Sequence, residues 1–136
     1  MGTAEELQAN NTEISTQHAA VDWNVLNALS VLQKPGTQDL RVRLMTIFLR
    51  SSPPLIEGIK TAIVALDSQL LTTSAHTLKT TCLSLGAMKL GAICAELEQI
   101  GRNNVLKDAG DLPLLAVEQY VAVTTAFRDA LEQSGE

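Results

Sequence analysis

Cysteine is scarce in this sequence: Cys82 and Cys94 are the only two in 136 residues. Each lies inside an apolar helical pattern, which is more typical of a buried, reduced thiol than of a disulfide framework. The only histidine other than His76 is His18, in the polar N-terminal stretch. Because no further sulfur or imidazole stands at zinc-ligand spacing from the cysteines, a structural metal site is not expected.

Aromatic residues make up only 3% of the chain, and its formal net charge is -5. A protein of this composition offers neither a basic surface for phosphate backbones nor stacking platforms for bases, so nucleic acid is not an expected partner. Long apolar runs are also missing, since none approaches the roughly 20 residues of a membrane-spanning helix. Residues 1–6 lack the basic and apolar regions of a signal peptide. We therefore expect a soluble, cytoplasmic chain without direct membrane contact.

The hydrophobic residues that are present amount to 46% of the chain. Because so few are aromatic, the core has to be built from Leu, Ile, Val, Ala and Met, a composition that favours packed helices. A chain of this length forms one hydrophobic core more comfortably than two. Residues 1–19 carry hardly any large apolar side chains and are predicted to be a flexible polar arm or linker. Residues 20–133 are then the folded domain, and residues 134–136 a frayed end.

Within residues 20–133, apolar side chains recur at intervals of three and four, the period of an amphipathic helix. Asp22 is a candidate N-cap for a short first helix that ends at Pro35-Gly36. The longer segments are predicted to be helices over about 38–66, 68–85, 87–101 and 112–132. The first of these is interrupted by two prolines. The expected fold is all-α, an antiparallel four-helix bundle with a short additional N-terminal helix, and we expect a monomer.

Two alternatives remain at Pro53-Pro54. Either the helix stops and a new one starts with Ser52 as its cap and a proline in its first turn, or one helix continues with a kink where backbone donors are lost. The sequence does not distinguish between these two structures.

His76 lies in the predicted helix 68–85 but outside its apolar stripe, about 100° from Ala75 and about 160° from Leu78 around the helix axis. It is therefore predicted to face solvent. Residues at offsets of three, four and seven share its helix face. They surround it with small hydroxyl side chains, one lysine and one apolar residue: Thr72, Thr73, Lys79, Thr80 and Leu83.

This group of residues is suited to phosphoryl chemistry. A solvent-facing imidazole is substantially neutral at cytosolic pH, so one ring nitrogen keeps a lone pair that can attack phosphorus. The ammonium group of Lys79, one helical turn away, can stabilise the charge on phosphoryl oxygens. Leu83 and the small Thr80 would give a partner an apolar contact and a close approach. From spacing alone, however, an ordinary surface histidine, lysine and leucine are the commoner occurrence.

A longer motif separates these interpretations. The stretch Ala75–Ala87, AHTLKTTCLSLGA, followed by Leu90, Cys94, Leu97 and Glu98, resembles histidine-containing phosphotransfer (HPt) domains. That family's pattern reads histidine, two residues, lysine, usually glycine, two small residues, a spacer, an aliphatic residue and glycine. The upstream helix 44–66 fits the family as well, and the resemblance spans about residues 22–133.

The resemblance implies a phosphorelay carrier in two-component signal transduction, without kinase activity of its own. His76 would accept a phosphoryl group from the aspartate of one receiver domain and pass it to another receiver. Lys79 would be the family's lysine beside it. No cofactor is expected on this chain, since Mg²⁺ would be held by the receiver. The polar arm would suit a tether to a hybrid sensor kinase, which can itself be membrane-bound, and a free-standing carrier is the alternative.

The resemblance also implies a docking surface for receivers. Leu83 falls in the region where receivers dock, and Gly86 matches the family glycine near the helix end. The predicted docking residues are Thr72, Thr73, Thr80, Leu83 and Gly86. Thr80 replaces the family's usual glycine, and its branched side chain could hinder docking, select a particular receiver or donate its hydroxyl to phosphate.

Two other classes of function compete with the carrier. A helical docking module would bind receiver or kinase domains without phosphotransfer, but the presence of both His76 and Lys79 argues against it. An autonomous enzyme would need a paired acid and base in a polar pocket. Glu96 and Glu98 are instead predicted to lie on a solvated helix face, and no nucleotide-binding glycine loop occurs.

Overall fold

The computed structural model of the protein describes residues 20–133, which are helical almost throughout and contain no strand. The helices follow in this order: α1 (Trp23–Ala28), a 3-10 turn (Leu29–Leu32), α2 (Leu40–Ser51), α3 (Pro53–Ala65), α4 (Ser68–Leu85), α5 (Met88–Arg102), a second 3-10 turn (Leu106–Asp108) and α6 (Leu112–Gln133). The predicted all-α bundle with a short N-terminal helix is confirmed. The consecutive helices α2 and α3 together take the place of its first long helix. The predicted arm 1–19 and frayed end 134–136 lie outside the described residues.

The junction of α2 and α3 combines features of both alternatives for Pro53-Pro54. A new helix begins at Pro53, so the prolines occupy a first turn in which backbone donors have no partner within the helix. Ser52 is the N-cap residue of α3, as in the first alternative, but it keeps right-handed helical angles and its side chain makes no capping hydrogen bond. Its buried hydroxyl instead shares a 2.9 Å hydrogen bond with the Tyr120 hydroxyl, which ties the junction to α6.

The core is formed by the apolar stripes of the long helices. The predicted stripe of α4 is buried along its whole length, and Phe48 of α2 meets Phe127 of α6 edge to face with ring centroids 5.3 Å apart. Cys82 and Cys94 are buried free thiols, as predicted. Burial raises the pKa of both thiols, that of Cys94 to about 12, so they stay protonated at neutral pH. Some apolar residues of the helical segments are nevertheless exposed: Leu32, Ile47, Leu66 and Val121.

The ends of α4 are set by its flanking residues. Asp67 accepts a hydrogen bond from the backbone N–H of Leu70, which caps the N-terminus as predicted. Gly86 ends the helix with φ +88°, in the left-handed region that favours glycine. The backbone N–H of Asp22 donates to the Gly86 carbonyl at 2.7 Å, and a side chain on Gly86 would overlap the Asp22 carbonyl. This contact anchors the start of the described chain on the end of α4.

The approach of α5 to α4 positions the site. Gly101 faces Thr72, and any side chain on Gly101 would overlap both the Thr72 hydroxyl and its backbone nitrogen. The two helices are therefore closest at this level. Because they run antiparallel, Glu98, one turn before Gly101, comes opposite His76, one turn after Thr72. None of the described helices is long and apolar enough to span a membrane.

Candidate functional site

His76 projects from α4 into solvent, as predicted, with 53% of its side chain exposed. Its neighbours Ala75 and Leu78 are fully buried, so the helix presents its apolar side to the core and the imidazole outward. The side chain is nevertheless not free on the surface. Its Nδ1 lies 3.0 Å from Oε2 of Glu98 on α5.

Glu98 is the centre of the site, and its predicted place on a solvated helix face is wrong. Only 4% of its side chain is exposed, whereas Glu96 is exposed as predicted. The sequence does hold a signal for this burial, since Glu98 follows Cys94 by four residues and precedes Gly101 by three, and both are buried. An acidic residue inside an apolar stripe indicates a carboxylate that has partners.

Two cations pair with the Glu98 carboxylate, one from α4 and one from α5. Nζ of Lys79, on α4, lies 2.6 Å from Oε1. Arg102, one turn further along α5, donates to Oε2 from Nε at 3.0 Å and from Nη2 at 2.6 Å. Lys79 was predicted to belong to the site, but Arg102 was not, since a cation at the end of a helix carries no motif of its own.

The charges of this cluster determine which nitrogen of His76 carries the ring hydrogen. The hydrogen bond from Lys79 lowers the pKa of Glu98 to about 2, burial opposes this effect, and the hydrogen bonds from Arg102 and His76 reinforce it. Glu98 is therefore a carboxylate at neutral pH. Since a carboxylate only accepts hydrogen bonds, Nδ1 carries the ring hydrogen of His76. The lone pair of the neutral ring is then on Nε2, which points away from Glu98.

The predicted docking residues fall into two groups. Thr73, Thr80 and Leu83 are exposed, and Leu83 packs beside Gly91 while keeping 40% of its surface accessible. Thr72 is half-buried against Gly101. Gly86 is buried and ends α4, so the structure gives it a framework position away from the exposed surface around His76.

Thr80 is held by a bond to the helix that carries it. Its hydroxyl donates to the His76 carbonyl at 3.0 Å. The single hydroxyl hydrogen is used in this bond, so in this conformation it is not available to phosphoryl oxygens, which are acceptors. What Thr80 adds to the surface beside His76 is therefore its methyl group.

Metal ligands are not clustered in the described part of the chain. Among residues 20–133, no three His, Cys, Asp or Glu side chains are grouped so as to hold a metal ion. The carboxylate at the site, Glu98, is already surrounded by nitrogen donors.

Comparisons with known proteins agree on one family. A family model described as the Hpt domain matches residues 43–135. Sensor protein TorS of Escherichia coli (strain K12) is 33% identical over 94 residues, which are 69% of this chain and 9% of the length of TorS. The crystal structure of histidine-containing phosphotransfer protein B (HptB) from Pseudomonas aeruginosa PAO1 superposes with a TM-score of 0.74 and 25% identity, covering 84% of this chain and 96% of HptB. The matched residues 43–135 include His76, Lys79, Glu98 and Arg102.

Proposed function

The chain belongs to the Hpt domain family, whose members carry out phosphotransfer in phosphorelays, and we propose that His76 is its phosphorylated residue. In this proposal His76 accepts a phosphoryl group from a receiver-domain aspartate and passes it to the aspartate of another receiver. The observation that supports it most directly is the 3.0 Å contact between His76 Nδ1 and Glu98 Oε2. This contact leaves Nε2 exposed with its lone pair.

The transfer itself needs no proton movement at this site. The Nε2 lone pair forms the new N–P bond, and the electrons of the broken P–O bond leave with the aspartate as a carboxylate. Nδ1 keeps its hydrogen, so the ring becomes positively charged while bonded to the phosphoryl group. The Glu98 carboxylate stabilises this positive ring. The same contact operates in reverse when the phosphoryl group is passed on.

Lys79 is proposed to stabilise the phosphoryl charge. It lies one helical turn from His76 on the same face, with 26% of its side chain exposed. A flexible ammonium group can reach oxygens that approach Nε2. Its charge acts on the transition state, in which negative charge is spread over the peripheral phosphoryl oxygens.

Hpt domains interact with receiver domains, and the exposed residues around His76 are the proposed contact surface for them. Thr73, Thr80 and Leu83 lie on this surface. The Mg²⁺ required for transfer is proposed to be held by the acidic pocket of the receiver. Because the sensor protein TorS contains a matching segment, we further propose that this domain belongs to a hybrid sensor kinase.

The test is transfer from a phosphorylated receiver in the presence of Mg²⁺, followed on gels that preserve acid-labile phosphate. The wild type is expected to become labelled, and His76→Gln to remain unlabelled. His18→Gln is the matched control, because it removes the only other histidine and should keep full labelling. Binding of several receivers without label on the wild type would contradict the carrier and favour a docking module without chemistry. Label that survives in His76→Gln would place the phosphoryl group on another residue.

A further inference from the structure

In the resting structure, the charge of Lys79 is directed at Glu98. Its Nζ lies 2.6 Å from Oε1 of that carboxylate. Glu98 is on the Nδ1 side of the His76 ring, whereas the phosphoryl group is proposed to arrive at Nε2 on the other side. Lys79 must therefore leave Glu98 before its ammonium group can contact phosphoryl oxygens.

The departure of Lys79 would expose Glu98 to an electrostatic penalty. The carboxylate has only 4% of its side chain exposed, and a buried carboxylate without a cationic partner is strongly unfavourable. The arriving phosphoryl group adds further negative charge beside it. The His76 ring, which contacts the same carboxylate, becomes positive only once the N–P bond forms. Unless another cation is already on Glu98, the carboxylate will hold Lys79 and oppose phosphorylation of His76.

Arg102 is placed to be that cation. It directs two nitrogen donors at Oε2, so its contact does not compete with Lys79 for Oε1. It is on the same helix as Glu98, four residues further on, and the two side chains remain neighbours whatever docks on α4. With 53% of its side chain exposed, it pairs with the carboxylate from the solvent side.

We propose that Arg102 is a positioning residue for phosphotransfer: it keeps Glu98 paired while Lys79 moves from the carboxylate to the phosphoryl oxygens. The site thus exchanges counter-ions during each transfer. Lys79 pairs with Glu98 when His76 is unphosphorylated and with the phosphoryl oxygens when His76 is phosphorylated. Arg102 pairs with Glu98 in both states. This inference rests on the proposed phosphorylation of His76.

The exchange makes a specific prediction for a double-mutant cycle of Arg102→Gln and Glu98→Gln. A neutral glutamine at position 98 needs no counter-ion and does not hold Lys79 by charge, so Arg102 should become dispensable in that background. Arg102→Gln is expected to slow labelling of His76 by about tenfold when Glu98 is present and by less than about twofold when it is replaced. Equal effects in the two backgrounds, or no effect in either, would overturn the exchange.

Controls separate this role from a structural one. Lys89→Gln removes an exposed cation from the same helix and should leave the rate unchanged. Arg102→Lys keeps the positive charge and should therefore label His76 at close to the wild-type rate. The ¹⁵N chemical shifts of His76 in Arg102→Gln should still report hydrogen on Nδ1, and its thermal unfolding should match the wild type within a few degrees. A changed tautomer would mean that Arg102 acts through the ring rather than through Lys79, which would overturn the inference.

The same experiment keeps the two proposals distinguishable. If the wild type is not labelled at His76, the proposed function fails. If the wild type is labelled but the cycle is additive, only the role of Arg102 fails. The Lys79 ammonium resonance gives an independent readout, since its environment should change on phosphorylation of the wild type and change less in Arg102→Gln.

Discussion

Glu98 holds His76 from a neighbouring helix: Oε2 of the carboxylate lies 3.0 Å from Nδ1 of the imidazole, although 22 residues separate the two in the chain. The contact joins an exposed ring to a buried charge. It fixes the hydrogen of the ring on Nδ1 and leaves the lone pair on Nε2, where the proposed phosphoryl group would bind. The tautomer of the surface histidine is thus set by a residue beneath the surface.

The first prediction concerns the hydrogen-bond acceptor at position 98. Glu98→Leu removes the acceptor, so the ring of His76 should lose its Nδ1–H preference and labelling should slow by roughly 10- to 100-fold. Glu98→Gln keeps an acceptor and should remain within several-fold of the wild type. The ¹⁵N chemical shifts of the ring measure the tautomer directly. Equal rates in Glu98→Leu and the wild type would contradict a role for this contact.

The second prediction concerns Lys79. Lys79→Met keeps much of the side chain's length and removes its charge, and it should slow labelling of His76 on the order of tenfold to a hundredfold. Folding should be retained, because Arg102 still pairs with Glu98. Lys60→Met is the matched control, since Lys60 is an exposed lysine that pairs with Glu57 on the surface of α3. Equal rates for both variants would remove Lys79 from the mechanism.

The third prediction concerns the methyl group of Thr80 beside His76. If this group restricts which receivers dock, Thr80→Ser and Thr80→Gly should speed transfer from a non-cognate receiver by about 3- to 10-fold, whereas Thr80→Val should behave like the wild type. Thr80→Gly should also lower helix stability by roughly 0.5 kcal/mol. Transfer rates with one cognate and one non-cognate receiver make the comparison. A slow Thr80→Val with the cognate receiver would instead indicate that the hydroxyl acts on phosphate.

The fourth prediction is a pH dependence of stability that depends on Glu98. Its pKa in the folded protein is about 2, below the ordinary glutamate value of 4.5, chiefly because Lys79 bonds the charged form. A group whose pKa is lowered on folding contributes stability above its unfolded pKa and loses that contribution as the pH falls through its folded pKa. Between about pH 4.5 and 2, the wild type should therefore lose more unfolding free energy than Glu98→Gln.

Urea unfolding at a series of pH values measures this difference, because the other carboxylates are shared by the two proteins and their effects cancel. Glu96→Gln provides a control, since Glu96 is exposed and should give the wild-type profile. Parallel profiles for the wild type and Glu98→Gln would show that the carboxylate is not bonded in the folded protein.

Most of the helical framework could be predicted from the sequence because it depends on local signals. Asp67 and Gly86 set the bounds of α4 at the predicted residues, through a side-chain cap and a left-handed turn. The exposure of His76 likewise follows from its angle to the apolar stripe. The helical spacing does not predict the exposure of Leu66, which ends α3 in a left-handed conformation with φ 54° and turns its side chain outward.

The contacts between side chains at the site could not be found in this way, although the spacing of Glu98 from Cys94 and Gly101 does signal its burial. Glu98 is predicted from its charge to be solvated, but Lys79 of another helix and Arg102 of its own offset the penalty of burial. Nor does the sequence show that the Thr80 hydroxyl bonds the His76 carbonyl rather than facing a ligand. Each of these facts depends on the relative placement of side chains after the helices have packed.

The sequence by itself therefore determined the helices, the family and the exposure of His76, since periodicity, caps and the motif around His76 are local properties of the chain. Only the tertiary structure decided how that histidine is held. The close approach of α5 to α4 at Gly101 and Thr72 brings a carboxylate under the imidazole. The physical reason is that hydrogen bonds and ion pairs depend on distances of a few ångströms between groups far apart in the chain, which no local pattern specifies.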